Sequence, residues 1–174
     1  VVNVVPEIVA AVRDTGADAV LLTADSAGAL PLFAQLLPEN GLDTEAVRLM
    51  GLARWDTPPQ TLELAGLQGG WFALPDPSAA ADFNARYQAT YGENPHVLAA
   101  LGYDAILAVG ETAARSGRLG PADLTAGAGF PGANVVFAFT PHGANQRAMA
   151  IASIIQNQVA VIDPAPRRLG GFGF

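Results

Sequence analysis

The 174-residue sequence contains no cysteine and no lysine. Without Cys there are no disulfides, no thiolate nucleophile and no Cys-ligated metal, and because many exported proteins also dispense with Cys, the compartment stays open. Nine arginines stand without a basic run against sixteen acidic residues, for a net charge of −7. That balance leaves no electrostatic footprint for nucleic acid or an anionic membrane surface. Histidine is limited to His96 and His142, each in a loop beside a proline and without carboxylates at ligand spacing, so no metal centre is expected. No apolar run reaches the roughly 18 residues of a membrane span. The nearest approach, VLAALGYDAILAVGETAA, is interrupted by Asp104 and Glu111. The opening VVNVVPE has neither Met nor the charged and apolar regions of a signal peptide, and reads as a mature product or an excised fragment. There is no G-x-S-x-G elbow and no S-x-x-K, so no nucleophile stands beside a base, and the expectation is a non-enzymatic chain without a cofactor.

What is present is an apolar half of the residues, enough for one core or two small lobes. Ile8, Val9 and Val12 recur at helical spacing after Pro6, and Gly16 closes that helix as a left-handed cap. AVLL (19–22) is a short apolar run of the kind buried on both faces of a sheet, and the following helix carries Leu30, Phe33, Leu36 and Leu37, with Pro31 in its first turn. The unit repeats. AVRLMGL predicts a strand, TPPQTLELAG a short helix with Thr57 and Gln60 as a capping box, GGWFAL a strand and SAAADFNARYQATYG a helix. The alternation predicts right-handed βαβ units: an α/β fold with a Rossmann-like parallel sheet and flanking helices. Farther on, VLAALGYDAILAVGETAARSG is the longest helical pattern, PADLTAG gives one or two more turns, and ANVVFAF is a strand. TPHGANQ reads as a turn, and AMAIASIIQNQVAVI as a hairpin turning at Gln156-Asn157-Gln158. DPAPRRLGGFGF, residues 164–174 apart from its first residue, has the composition of a tail.

GAGFPG (127–132) has dinucleotide-fingerprint spacing, but a helix precedes it and a strand follows, the reverse of what phosphate binding needs, so it is read as turn chemistry. The strand ends are more informative, because ligands of open parallel sheets settle outside the carboxyl ends of the strands. Three such ends carry polar groups. They present Asp25 and Ser26, then Ala53, Arg54, Trp55 and Asp56, then Asp76, and these seven are the candidate ligand-binding residues. The plainer roles are helix capping for Ser26 and Asp76, a turn for Asp25 and core cover for Trp55.

Several stretches together resemble the type I periplasmic solute-binding proteins, in the branch of the leucine/isoleucine/valine-binding receptors. They are TGADAVLL, RLMGL, LELAGLQGGWFALPDP, DFNARYQATYGENPHVLAALGYDAILAVGETAARSG with its Tyr-Gly-x-x-Pro and Tyr-Asp-Ala, and GFPGANVVFAFTPHGANQRAMAIASIIQNQVAVI. The VAVIDPAP ending and the Arg-Trp after the second strand are more similar to a sub-branch, the penicillin-binding protein activators. The resemblance implies the second half of a two-lobed protein. Residues 1–76 with 147–163 would form its C-terminal lobe, 77–146 would complete the N-terminal lobe through hinges near Pro75–Pro77 and Thr140–Gly143, and 164–174 would be a tail.

The resemblance implies a periplasmic location, free or lipid-anchored through a missing N-terminus. It also implies a non-enzymatic extracellular receptor that binds an amino acid or small carboxylate between its lobes for ABC-type uptake, with a small-molecule ligand and an ABC permease as partners. The alternative it implies is a regulatory interaction protein whose partner is a peptidoglycan synthase. The aromatic that such receptors place after the first C-lobe strand falls at about Asp25 or Ser26, and the acid that takes a ligand ammonium falls at about Ala53, with Asp25 or Asp56 as substitutes. Arg54 suits a ligand carboxylate or phosphate bidentately. Micromolar binding needs about 8 kcal/mol, whereas charged hydrogen bonds give about 1.5–3 each and association costs at least about 4. Three contacts from one lobe are too few, so tight binding needs the second lobe.

Overall fold

The computed structural model describes residues 3–52, 54–96 and 98–169. The chain divides into two compact units, 3–74 with 151–163 and 75–150 with 164–169.

The first unit opens on helix α1 (Val5–Thr15), with Pro6 in its first turn and Val5 and Val9 buried. Gly16 ends it at φ 63°, the left-handed cap that Gly reaches without a Cβ penalty. Strand β1 (Ala19–Leu22) follows, then α2 (Leu30–Glu39), which takes Pro31 in its first turn and buries Leu30, Ala34 and Leu37. After β2 (Arg48–Gly51) come two short 3₁₀ turns, Pro59–Glu63 and Ala65–Leu67, and then β3 (Trp71–Leu74). The 3₁₀ segment differs from the expected capped helix. Pro58 precedes Pro59, and a residue before proline is pushed out of the helical region; it sits at ψ 158° and the turn starts only at Pro59, with no side-chain cap from Thr57.

β1, β2 and β3 pair in parallel order. The sheet is completed by β7 (Ala150–Ile155) and β8 (Gln158–Asp163), in the order β1-β2-β3-β7-β8. β1 stands at its edge, so Leu21 is 55% exposed and only Leu22 is buried. An apolar run of four residues does not by itself distinguish a central strand from an edge one. Gly66 allows the backbone after β2 to close on α2, since a Cβ there would overlap the Ala34 carbonyl.

The second unit contains α3 (Pro77–Tyr91), α4 (Ala99–Ser116), the short α5 (Pro121–Thr125) and a three-stranded antiparallel sheet of β4 (Phe130–Pro131), β5 (Val136–Phe139) and β6 (Asn145–Arg147). The GAGFPG stretch supplies β4, and Gly129 at φ 95° lies where a Cβ would meet the Phe137 carbonyl at 2.6 Å. One expectation changes here: TPHGANQ is a turn followed by a strand, with Thr140–Gly143 forming the β5–β6 hairpin turn. Phe130, Phe137 and Phe139 form an aromatic cluster with Ala108.

α4 buries a face of small and polar residues, Ala100, Asp104, Ala108 and Thr112, at every fourth position. Leu101, Tyr103, Ile106 and Val109 are exposed, Ile106 to 74%. Asp104, 1% exposed, has its charge paired and each oxygen hydrogen-bonded: Oδ1 accepts from the Ala133 backbone N–H at 2.6 Å and Oδ2 pairs with Arg147 Nη1 at 2.6 Å. The Arg147 guanidinium in turn lies 4.9 Å from the Phe137 ring centroid. Gly132 makes the approach possible, because a Cβ there would stand 2.8 Å from Asp104 Oδ1.

The chain returns to the first unit through β7 (Ala150–Ile155) and β8 (Gln158–Asp163), an antiparallel hairpin. Its turn has two residues, Gln156 and Asn157, both at positive φ, which is the twist-compatible type for a tight hairpin. β7 docks beside β3 through Gly69 N–H to Ile154 O at 2.7 Å and Ile154 N–H to Gly70 O.

Candidate functional site

The parallel ladder positions the first two strand ends. Leu52 N–H donates to Leu22 O just past β1 and β2, so the loops 23–29 and 54–58 leave the sheet side by side. Ser26 then ties them together. Its hydroxyl lies 2.6 Å from Thr57 O and 3.3 Å from Arg54 O. With one proton to give, it donates to Thr57 O and is not a helix cap; α2 begins at Leu30 with no side-chain cap. Asp25 folds its own loop, its carbonyl accepting from Gly28 and Leu30 N–H at 3.2 Å each. Its side chain is exposed and, among the described residues, forms no ion pair.

Arg54 and Asp56 face one another. Nε donates to Oδ1 at 2.9 Å and Nη2 to Oδ2, a two-point pairing, with side-chain exposures of 49% and 15%. The hydrogen bond that Arg54 donates to Asp56, and then the charge of Asp56, hold the guanidinium above its ordinary pKa against partial desolvation, so it is a cation at every physiological pH.

Trp55, between them, points the other way. It is fully buried, stacks on Phe72 with ring centroids 5.8 Å apart, and lies against Gly51 and Gly70, where added Cβ atoms would overlap the indole. Its role in this unit is core packing, and it offers a solute no surface. Its Nε1 has no hydrogen-bond partner among the described residues. Ala53 lies outside the described residues.

Asp76 belongs to the second unit and is the N-cap of α3. Oδ1 accepts from Ser78 Oγ at 2.6 Å, Ser78 N–H at 2.9 Å and Ala79 N–H at 3.4 Å. The Ser78 hydroxyl chiefly, then these backbone groups and the charge of Arg167, outweigh burial and hold the carboxyl below its usual range. The plain capping role explains it. Replacing Asp76 with alanine is expected to cost about 0.5–2 kcal/mol at pH 7. A carboxyl with a depressed folded pKa contributes fully above its unfolded value of about 3.9 and loses its contribution as pH falls through the folded pKa. The difference between Asp76→Ala and the native protein in urea midpoint should therefore hold from pH 7 to about 5 and close as the pH is lowered beyond 4. An undiminished difference in strong acid would refute the cap.

Among the described residues no group of three or more His, Cys, Asp or Glu side chains converges on a metal site, and no helix is long and apolar enough to cross a membrane. His96 spends Nδ1 on Leu98 N–H at 3.2 Å, at the start of α4. Sequence reading passed over Asp104 as an interruption, although a lone acid inside an apolar helical pattern is itself the signal for a buried, paired carboxylate.

The sequence pattern of the periplasmic binding protein family matches residues 5–158. Among solved structures, a branched chain amino acid ABC transporter periplasmic ligand-binding protein from Burkholderia xenovorans is 20% identical with a TM-score of 0.61, over 94% of this chain and 46% of that one. An ABC transporter substrate-binding protein from Desulfitobacterium hafniense in complex with Leu is 17% identical with a TM-score of 0.62, over 93% and 48%. A solute binding protein of an ABC transporter from R. palustris in complex with benzoate is 16% identical with a TM-score of 0.52, over 92% and 47%. None of the curated proteins compared matches the chain. The chain spans about half the length of the solved structures it matches.

Proposed function

The chain belongs to the periplasmic binding protein family, and on that premise we propose that it forms part of a non-enzymatic periplasmic receptor that binds a small polar solute, an amino acid or small carboxylate, and delivers it to an ABC permease. The observation that carries the reading is the pair of tied loops at the carboxyl ends of adjacent parallel strands, with Asp25 and Arg54 exposed on them. That is where α/β sheets bind ligands. Asp25, Arg54 and Asp56 are the residues proposed to face the solute, Ser26 the residue that positions them, and Asp76 a residue held by its cap.

The first unit is proposed as the C-terminal lobe and residues 77–146 as a segment of the N-terminal lobe. The exposed Leu101, Ile106 and Val109 of α4 support the second assignment, since a helix apolar on its outer face is normally covered by further structure. The test is calorimetry on full-length protein purified without dialysis, titrated with the proteinogenic L-amino acids and with small carboxylates including benzoate. Heat of binding with a matching thermal shift is expected, and neither heat nor shift with any of them would overturn the reading.

A second reading, a penicillin-binding protein activator-like regulator of cell-wall synthesis, is favoured by one observation: Arg54, the group best suited to a ligand carboxylate, is already paired with Asp56. It requires recovery of a peptidoglycan synthase in a pull-down and no solute binding.

A further inference from the structure

Arg54, Trp55 and Asp56 share a loop whose backbone is anchored by Trp55. The indole between the two charged residues is locked against Gly51 and Gly70, and the carbonyls of Arg54 and Thr57 on either side lie within reach of the same Ser26 hydroxyl. While Trp55 stays in the core, the loop backbone keeps Arg54 and Asp56 within reach of one another. Their pairing through Nε and Nη2 is the two-point geometry with which a guanidinium takes the carboxylate of a ligand. A carboxylate two residues away also competes as an intramolecular partner, at an effective concentration well above that of a free solute. With Arg54 and Asp56 cancelling, the one charge left on the two loops is that of Asp25, which is exposed and carries no ion pair among the described residues.

We infer that Asp56 is a specificity-determining residue: it fills the Arg54 fork where a ligand carboxylate would bind, and so turns the site against solutes whose only charge is a carboxylate and toward solutes that carry an ammonium for Asp25. The inference deepens the solute-receptor reading and rests on it. Its consequence is a gain of binding on removing a charge, which damage to the fold cannot imitate.

The experiment titrates full-length native protein and the Asp56→Asn variant with benzoate and with L-leucine. Asp56→Asn is expected to raise benzoate affinity at least tenfold, equivalent to about 1.4 kcal/mol, and to raise the ratio of benzoate to leucine affinity by the same factor. Adding Arg54→Gln to Asp56→Asn should abolish the gain. Benzoate affinity within twofold of the native protein in Asp56→Asn, or a gain that survives Arg54→Gln, would overturn the inference while leaving the receptor reading intact. A native protein that binds neither probe nor any amino acid overturns both.

Discussion

Replacing Asp104 with alanine should destabilise the second unit by about 3–5 kcal/mol, the cost of breaking a buried ion pair from one side. Alanine removes the acceptor of the buried Ala133 N–H and strands the guanidinium of Arg147 over the Phe137 ring. Asp104→Asn keeps an acceptor for Ala133 N–H but loses the charge and sets an amide NH2 donor against the Arg147 guanidinium, at a cost of about 1.5–3 kcal/mol. If Arg147 owes its penalty to Asp104, then Asp104→Ala combined with Arg147→Met will cost less than the two single changes together, by about 0.5–3 kcal/mol. Both tryptophans lie in the first unit and the long helices α3 and α4 in the second, so the loss is expected in the midpoint of the helical circular dichroism signal in urea. A midpoint for Asp104→Ala equal to that of the native protein would show that the clasp contributes nothing.

Removing the Trp55 side chain should be comparably severe in the first unit. The indole is fully buried and fills a slot whose floor is two glycines, so Trp55→Ala leaves a cavity that the surrounding strands cannot collapse into, at about 3–5 kcal/mol. Within that figure, the stacking on Phe72 accounts for about 0.5–1.5 kcal/mol. Trp55→Phe is expected to be much milder, about 1–2 kcal/mol from lost volume, because Nε1 has no partner to lose among the described residues. A Trp71→Phe background isolates the reporter, since Trp71 is 38% exposed and Trp55 is not. Native emission should then be blue-shifted and shielded from acrylamide. Emission quenched in the native state, or a Trp55→Ala variant as stable as its parent, would contradict this packing.

Much of the fold was legible because local signals and tertiary demands agree. Pro6 and Gly16 bound α1 as punctuation, and the apolar runs at 19–22, 48–51 and 71–74 are strands of one sheet. What a run of apolar residues could not say was the place of its strand: β1 is an edge, a fact set by which partners exist in space. β4 and β6 were missed because strands of two and three residues carry no period. At the site, the sequence identified the loops but not the directions of their side chains. Trp55 turns inward because Gly51 and Gly70 leave room for it, a complementarity between positions that spacing does not reveal. Arg54 and Asp56 were readable as neighbours, and their mutual satisfaction was not, since an i to i+2 pair meets only when the loop bends.

The first unit is also discontinuous in the chain, and this has a consequence for its synthesis. Its sheet places β7 directly beside β3, yet the whole of 75–149 is made between them. At about 5–20 residues per second on the ribosome, β3 and the groups just before it, Gly69 N–H and Gly70 O, wait for several seconds without the strand that will cover them. During that interval the nascent sheet has an open, apolar edge of the kind that recruits foreign strands. Folding of this unit is therefore gated by the translation of β7 and β8, and chains truncated before Ile151 should be clients for chaperones and prone to aggregate, however sound their first three strands.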